Sequence, residues 1–175
     1  MTARCLRYAV LGKCLALLSA CQADQDYVVS AGYTGPVVVV YETPGGVPRT
    51  RTLRIPTNGI LFVKDESSTS GRFRVLEEMS NGERREIEHL KTEPNAFQYF
   101  NFVTLGKGSA SGCLPNGESS PVRDTFVLGR PRDRDRLVMQ QEDLVNRATA
   151  DHLRRRSLAA AADCVLQRTH PGFLK

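Results

Sequence analysis

Hydrophobic positions fall in short bursts separated by turn residues over the first three quarters of the chain, a β-type pattern. The densest burst is Pro36-Val37-Val38-Val39-Val40-Tyr41. Consecutive β-branched residues stiffen the backbone and leave neither face polar, so this run predicts a strand covered on both sides. Before it, Tyr27-Val28-Val29 predicts an opening strand, with a turn over Ala31 to Gly35. After it, Pro44-Gly45-Gly46 marks a turn. Leu53 and Ile55 then alternate with Thr52 and Arg54, as in a half-buried strand over 49–55. Pro56-Thr57-Asn58-Gly59 predicts a tight reversal into Ile60-Leu61-Phe62-Val63, because Asn and Gly tolerate positive φ. Arg72 to Glu78 and Arg84 to Leu90, joined across Asn81-Gly82, predict a hairpin. Phe97 to Leu105, rich in aromatic residues, and Val122 to Gly129 complete the strands.

Beyond Pro131 the period changes. Leu137, Leu144 and Ala148 recur at helical spacing, followed in a new phase by Leu158, Ala162, Val165 and Leu166. This predicts two helices, or one bent near Arg154 to Ser157, ended by Pro171-Gly172. The expected fold class is mainly β (α+β): an antiparallel β-sandwich or small barrel over 27–129 with a helical appendage over 130–175.

The start of the chain follows different rules. Arg4 and Arg7 are basic, Cys14 to Leu18 is a short apolar stretch, and Ser19-Ala20 are small, which is the order of a secretory leader. Its end, Leu18-Ser19-Ala20-Cys21, resembles the lipobox of bacterial lipoproteins. That resemblance implies diacylation of the Cys21 thiol, cleavage before Cys21, and acylation of the freed amine. Cys14 is no rival, since Lys13 stands where a small residue is required. Gln22 rather than Asp after Cys21 favours, by the same analogy, the outer membrane of a Gram-negative cell. Residues 1–20 are then a signal peptide and 21–26 a polar tether.

Composition changes the picture only slightly. With 175 residues, 41% hydrophobic and 25% charged, the chain suits one globular domain with a small addition. No apolar run reaches the ~18 residues of a spanning helix. Of the formal +5 charge, Arg4, Arg7 and Lys13 lie in the leader, leaving +2, so the basic pI gives no case for a nucleic-acid partner.

Candidate chemistry is sparse. Cys113 and Cys164 are the remaining cysteines of the mature chain. In an oxidising envelope such a pair predicts a disulfide, with two free buried thiols as the alternative. His89, His152 and His170 are scattered and form no metal motif, so no metal or cofactor is expected. Gly106-Lys107-Gly108-Ser109-Ala110-Ser111-Gly112 fits neither a phosphate loop nor a nucleophile elbow. Glu77 and Glu78 point to opposite faces of a regular strand, and Asp65-Glu66 lacks the alternation of a calcium loop. Arg130, Arg132, Arg134 and Arg136 are offset by Asp133 and Asp135. Arg154-Arg155-Arg156 could meet anionic headgroups or lie in a salt-bridged, solvated helix.

Gly32-Tyr33-Thr34-Gly35, the valine strand and Ile55-Pro56-Thr57-Asn58-Gly59-Ile60-Leu61 together resemble a bacterial lipoprotein domain with no assigned activity, over roughly residues 27–130. The helical tail departs from that pattern. The resemblance implies location and architecture and supplies no mechanism. The reading is therefore a non-enzymatic envelope lipoprotein, attached to the membrane through acyl chains on Cys21, that binds or scaffolds an envelope protein or glycan. An envelope hydrolase with a loop-assembled site built on His89 or His152 is one alternative. A sugar or peptidoglycan binder with Tyr99 or Phe100 as an exposed platform is the other.

Overall fold

A computed structural model describes residues 25–67, 73–89, 96–105, 113–115 and 118–169. The leader, Cys21, the Gly106 to Gly112 stretch and His170-Pro171-Gly172 lie outside the described residues.

The strands are β1 (Gln25–Ser30), β2 (Gly35–Val40), β3 (Thr52–Arg54), β4 (Ile60–Phe62), β5 (Phe73–Glu78), β6 (Arg84–Ile87), β7 (Gln98–Leu105) and β8 (Arg123–Gly129). A 3-10 turn, Pro131–Asp133, leads into α1 (Arg134–Arg155) and then α2 (Ala159–Thr169). The first strand opens at Gln25, within the segment expected to be tether, and buries both Gln25 and Asp26. Gln25 donates to the carbonyls of Thr50 and Arg51, and Asp26 takes a two-pronged ion pair from Arg74 at 2.9 and 3.0 Å. Polar residues enter this strand because each finds a partner on its neighbours.

The strands form two four-stranded sheets, β3-β1-β5-β6 and β4-β2-β8-β7. Neither sheet is purely antiparallel and neither closes into a barrel, which corrects the fold expected from sequence. β1 pairs in parallel with β3 and β5, and β2 in parallel with β4, whereas β5/β6, β2/β8 and β7/β8 are antiparallel. The reason lies in the connections. From β1 to β4 the chain changes sheet at every step, so strands adjacent in sequence face each other across the core. Two crossings return the chain to its first sheet running the same way, and β3 adds beside β1 in parallel. The Pro56–Gly59 turn exists, with the Gly59 N–H donating to the Pro56 carbonyl at 2.9 Å, but it joins strands of opposite sheets. The turn at Asn81-Gly82 does close a local hairpin, between β5 and β6.

Period-two alternation divides the valine run between two interiors. Val37 and Val39 join Tyr27, Val29, Leu53, Val75, Phe126 and Leu128 between the sheets. Val38 and Val40 face the other way and pack on Leu144 and Ala148 of α1. Each buried valine contributes about 2 kcal/mol of hydrophobic stabilisation. The molecule is thus three layers, sheet on sheet on helix, with β2 central. Phe100 and Val127 pack on Leu137 near the start of α1. A bulge between Phe100 and Val103 holds Asn101 at φ 53°, where its side-chain amide bonds Gln141 of α1.

The opposite face of the first sheet carries no helix among the described residues. Asp26–Arg74 and the Arg54–Glu78–Arg84 cluster lie on it, flanking Val28 and Leu76. Long arginine stems can cover apolar neighbours while their charged heads stay in water, which suits the burial of both residues.

Candidate functional site

Two clefts flank Thr34, in the turn between β1 and β2. The larger, about 430 Å³, is lined by Gly32, Thr34, Glu77, Arg85, Phe97, Gly129, Arg130, Arg132 and Asp133. It collects the end of β5, the start of β6, the entry to β7, the exit of β8 and the 3-10 turn ahead of α1. Glu77 shares its strand face with Val75 and is only 6% exposed. One of its oxygens accepts the Gly32 N–H at 2.8 Å and the other takes Arg85 at 2.5 Å. The Gly32 N–H, and after it the Arg85 guanidinium, hold the Glu77 carboxyl below its ordinary range. Glu77 is therefore ionised at neutral pH with both oxygens engaged. Asp133 is shared between Arg132 at 3.9 Å and Arg136 at 3.5 Å. Arg130, on extended backbone just before the 3-10 turn, is exposed and makes no ion pair among the described residues.

The smaller cleft, about 270 Å³, runs along Tyr33, Gly35, Pro36, Thr57 and Asn58 against Gln140, Asp143, Leu144 and Arg147 of α1. It lies where the Gly-Tyr-x-Gly and Ile-Pro-x-x-Gly-Ile-Leu segments meet. Tyr33 donates its hydroxyl to the Pro36 carbonyl at 2.6 Å, and burial pushes that phenol up to about 12. Gly59 sits against both groups at φ 76°, and a Cβ there would fall 2.4 Å from the Pro36 carbonyl oxygen and 2.5 Å from the Tyr33 hydroxyl. The spacing of these motif residues is therefore a packing requirement at one corner of the sandwich.

The two described histidines, His89 and His152, do not assemble a reactive centre. His152 is 1% exposed, and its Nδ1 lies 2.8 Å from the Thr43 hydroxyl. Burial, with Arg156 adding to it, lowers the imidazole to about 4, so it is neutral at physiological pH. No substrate reaches that pair. His89 is exposed and rests on the Tyr99 ring with centroids 4.8 Å apart. Among the described residues no three His, Cys, Asp or Glu side chains gather as metal ligands.

A second polar group is buried at the far end of the sandwich. The hydroxyls of Tyr27 and Tyr41 both meet Asp124 Oδ2, Tyr41 at 2.8 Å, and lie 2.8 Å from each other. Burial and the Asp124 charge push both phenols far above their ordinary range, so each keeps its proton to donate. All three residues are buried, which makes this a sealed structural network.

Tyr99 and Phe100, expected as an exposed sugar platform, are core residues. Tyr99 packs on Phe73 and Phe126, and Phe100 on Leu137. Arg154 pairs with Asp151 and Asp163, Arg155 lies 4.4 Å over the Phe62 ring, and Arg156 pairs with Glu118 at 2.9 Å. This triplet is committed within the protein, in keeping with the salt-bridged reading of the helix. Glu78 pairs outward with Arg54 and Arg84 while Glu77 turns inward, as their alternation requires. The sulfurs of Cys113 and Cys164 are 2.13 Å apart, with Cα atoms at 5.6 Å, a disulfide distance. Sequence reasoning missed the Arg85–Glu77–Arg130 grouping: Glu77 and Arg85 face each other across the predicted hairpin, but Arg130 and Gly32 reach the same cleft from distant segments, which no local spacing announces.

No family model matches the chain, and no curated protein matches it. Among solved structures, the 2.75 Å crystal structure of a Bacillus anthracis protein described as a "Putative Lipoprotein" aligns with a TM-score of 0.41 and 16% identity, over 61% of this chain and 70% of that one. A likeness at that level establishes neither a shared family nor a shared role.

Proposed function

We propose that this protein is a lipid-anchored envelope lipoprotein whose folded part binds or scaffolds another envelope component without catalysing a reaction. The observation that carries the reading is the sequence Leu18-Ser19-Ala20-Cys21 at the end of a basic-then-apolar leader. Two or three acyl chains on Cys21 would exceed the two signals needed for lasting attachment, each buried methylene adding about 0.8 kcal/mol. Because β1 opens at Gln25, three residues, Gln22 to Asp24, and so four residue steps, separate the anchor from the fold. At about 3.5 Å per step these four steps span at most ~14 Å, so the Gln25 end of the sandwich stays close to the bilayer surface. Among the described residues no helix is long and apolar enough to cross a membrane.

The binding role draws support from the accessible polar clefts beside Thr34, set against two polar clusters, His152–Thr43 and Tyr27–Tyr41–Asp124, that are closed to solvent. A loop-assembled hydrolase would need Ser or Cys against a histidine in a concave site. His152 instead meets a buried threonine. The outer membrane is the finer assignment, resting on Gln22 rather than Asp after Cys21. The test is incorporation of radiolabelled palmitate in cells expressing the full chain. Label in the wild type and none in Cys21→Ser is expected, and an unlabelled wild type would end the anchoring reading.

A further inference from the structure

We infer that the larger cleft is a recognition site for a single carboxylate borne on a small apolar group, the chemistry of a peptide C-terminus. This deepens the binding role proposed above and depends on it. Three guanidinium side chains, Arg85, Arg130 and Arg132, line the cleft beside two carboxylates, Glu77 and Asp133. Both carboxylates are already occupied, Glu77 by the Gly32 N–H and Arg85, Asp133 by Arg132 and Arg136. Arg130 is the lining cation without an ion pair among the described residues, and it is an exposed residue on extended backbone. The excess is one positive charge, which matches a monoanion.

The two fixed carboxylates decide against a doubly charged phosphate, since its second charge would be repelled at close range. A planar guanidinium fork suits a carboxylate in two-pronged geometry, with Thr34, beside Gly129 in the same lining, able to add a hydroxyl donor. Half-buried Phe97 supplies the apolar surface against which the rest of the ligand lies. Position supports a soluble ligand over a lipid headgroup. Gly32 and Thr34 lie beyond the Ser30 end of β1, about 20 Å along the strand from Gln25 and its anchor.

The test uses the full chain in detergent micelles, followed by amide chemical shifts during titration with N-acetylalanine. N-acetylalaninamide, inorganic phosphate and a five-residue peptide with a free C-terminus are run in parallel. Saturable shifts at Gly32, Thr34, Gly129 and Arg130 with the acid, weakened by added salt, are expected, with the amide and phosphate at least tenfold weaker. Arg130→Gln should weaken binding about tenfold or more, Arg130→Lys should restore part of it, and Arg134→Gln, an equal charge change outside the cleft, should leave it unchanged. Tighter binding of the peptide than of N-acetylalanine would identify a polypeptide end as the source, and equal binding a free small acid. Equal shifts with the uncharged amide, tighter binding of phosphate, or indifference to Arg130→Gln would each overturn the assignment. None of these readouts depends on acylation, so a failure here is separate from a failure of the palmitate experiment.

Discussion

At the scale of single residues, this protein spends its buried polar groups on fixing geometry. His152 is the informative one. Its imidazole is neutral in the fold down to about pH 4, whereas in the unfolded chain it takes up a proton near its ordinary 6.5. Between those values the unfolded state binds more protons, so stability falls as pH drops through that window and is flat above it. The full effect is about 3 kcal/mol. Thermal melting from pH 7 down to pH 4 should show this decline, and His152→Gln should flatten the slope over the same interval whatever its effect on the absolute melting temperature. Gly59 is the second such position. Alanine there would meet the Pro36 carbonyl oxygen and the Tyr33 hydroxyl at sub-contact distance while holding a left-handed φ. Gly59→Ala should cost about 2–4 kcal/mol, read by urea denaturation. Gly82, at φ 82° with open space around it, should lose only the smaller conformational part on the same substitution.

At the scale of elements, the break between α1 and α2 is the instructive case. The Leu158 N–H returns to the Leu153 carbonyl and the Ser157 N–H to the Arg154 carbonyl, both at 2.9 Å, the Schellman pattern of a helix end. Leu158 packs beside Leu153, the apolar contact that accompanies the motif. The left-handed position belongs to Ser157, at φ 62°, where glycine is the usual occupant. Ser157→Gly should therefore stabilise the protein by about 0.5–1 kcal/mol, visible as a rise in denaturation midpoint without a change in slope. The change of hydrophobic phase after Ala148 made a break legible in the sequence. The serine gave no sign of the cap, because its signal is a conformation rather than a residue type.

For the molecule as a whole, α1 closes the outer face of the β4-β2-β8-β7 sheet, α2 packs on α1, and the Cys113–Cys164 pair ties α2 to the segment between β7 and β8. The cysteines stand 51 positions apart, and closing a loop of that length contributes about 4 kcal/mol in the chain-entropy model. If the bond is formed in the cell, dithiothreitol should lower the melting temperature of the wild type and leave a Cys113→Ser/Cys164→Ser variant unmoved. Equal behaviour of the two would mean free thiols.

Much of this architecture was readable in residue order, and the unread part has a common cause. Period and turn chemistry are local, so they located the eight strands, the hairpin at Asn81-Gly82, the helical change after Pro131 and the double-sided burial of Val37 to Val40. Partner choice is not local. Pro56 to Gly59 states that the chain reverses, but whether it returns to the same sheet or crosses to the other depends on where the remaining strands can bury their apolar faces. Tertiary packing therefore decided that the sheets are mixed, that Tyr99 and Phe100 are core, and that Glu77 is engaged by the Gly32 N–H. It also brought Arg85 and Arg130 to one cleft from opposite sheets, a meeting no short-range spacing encodes, because side-chain convergence belongs to the packed layers and not to the order of the chain.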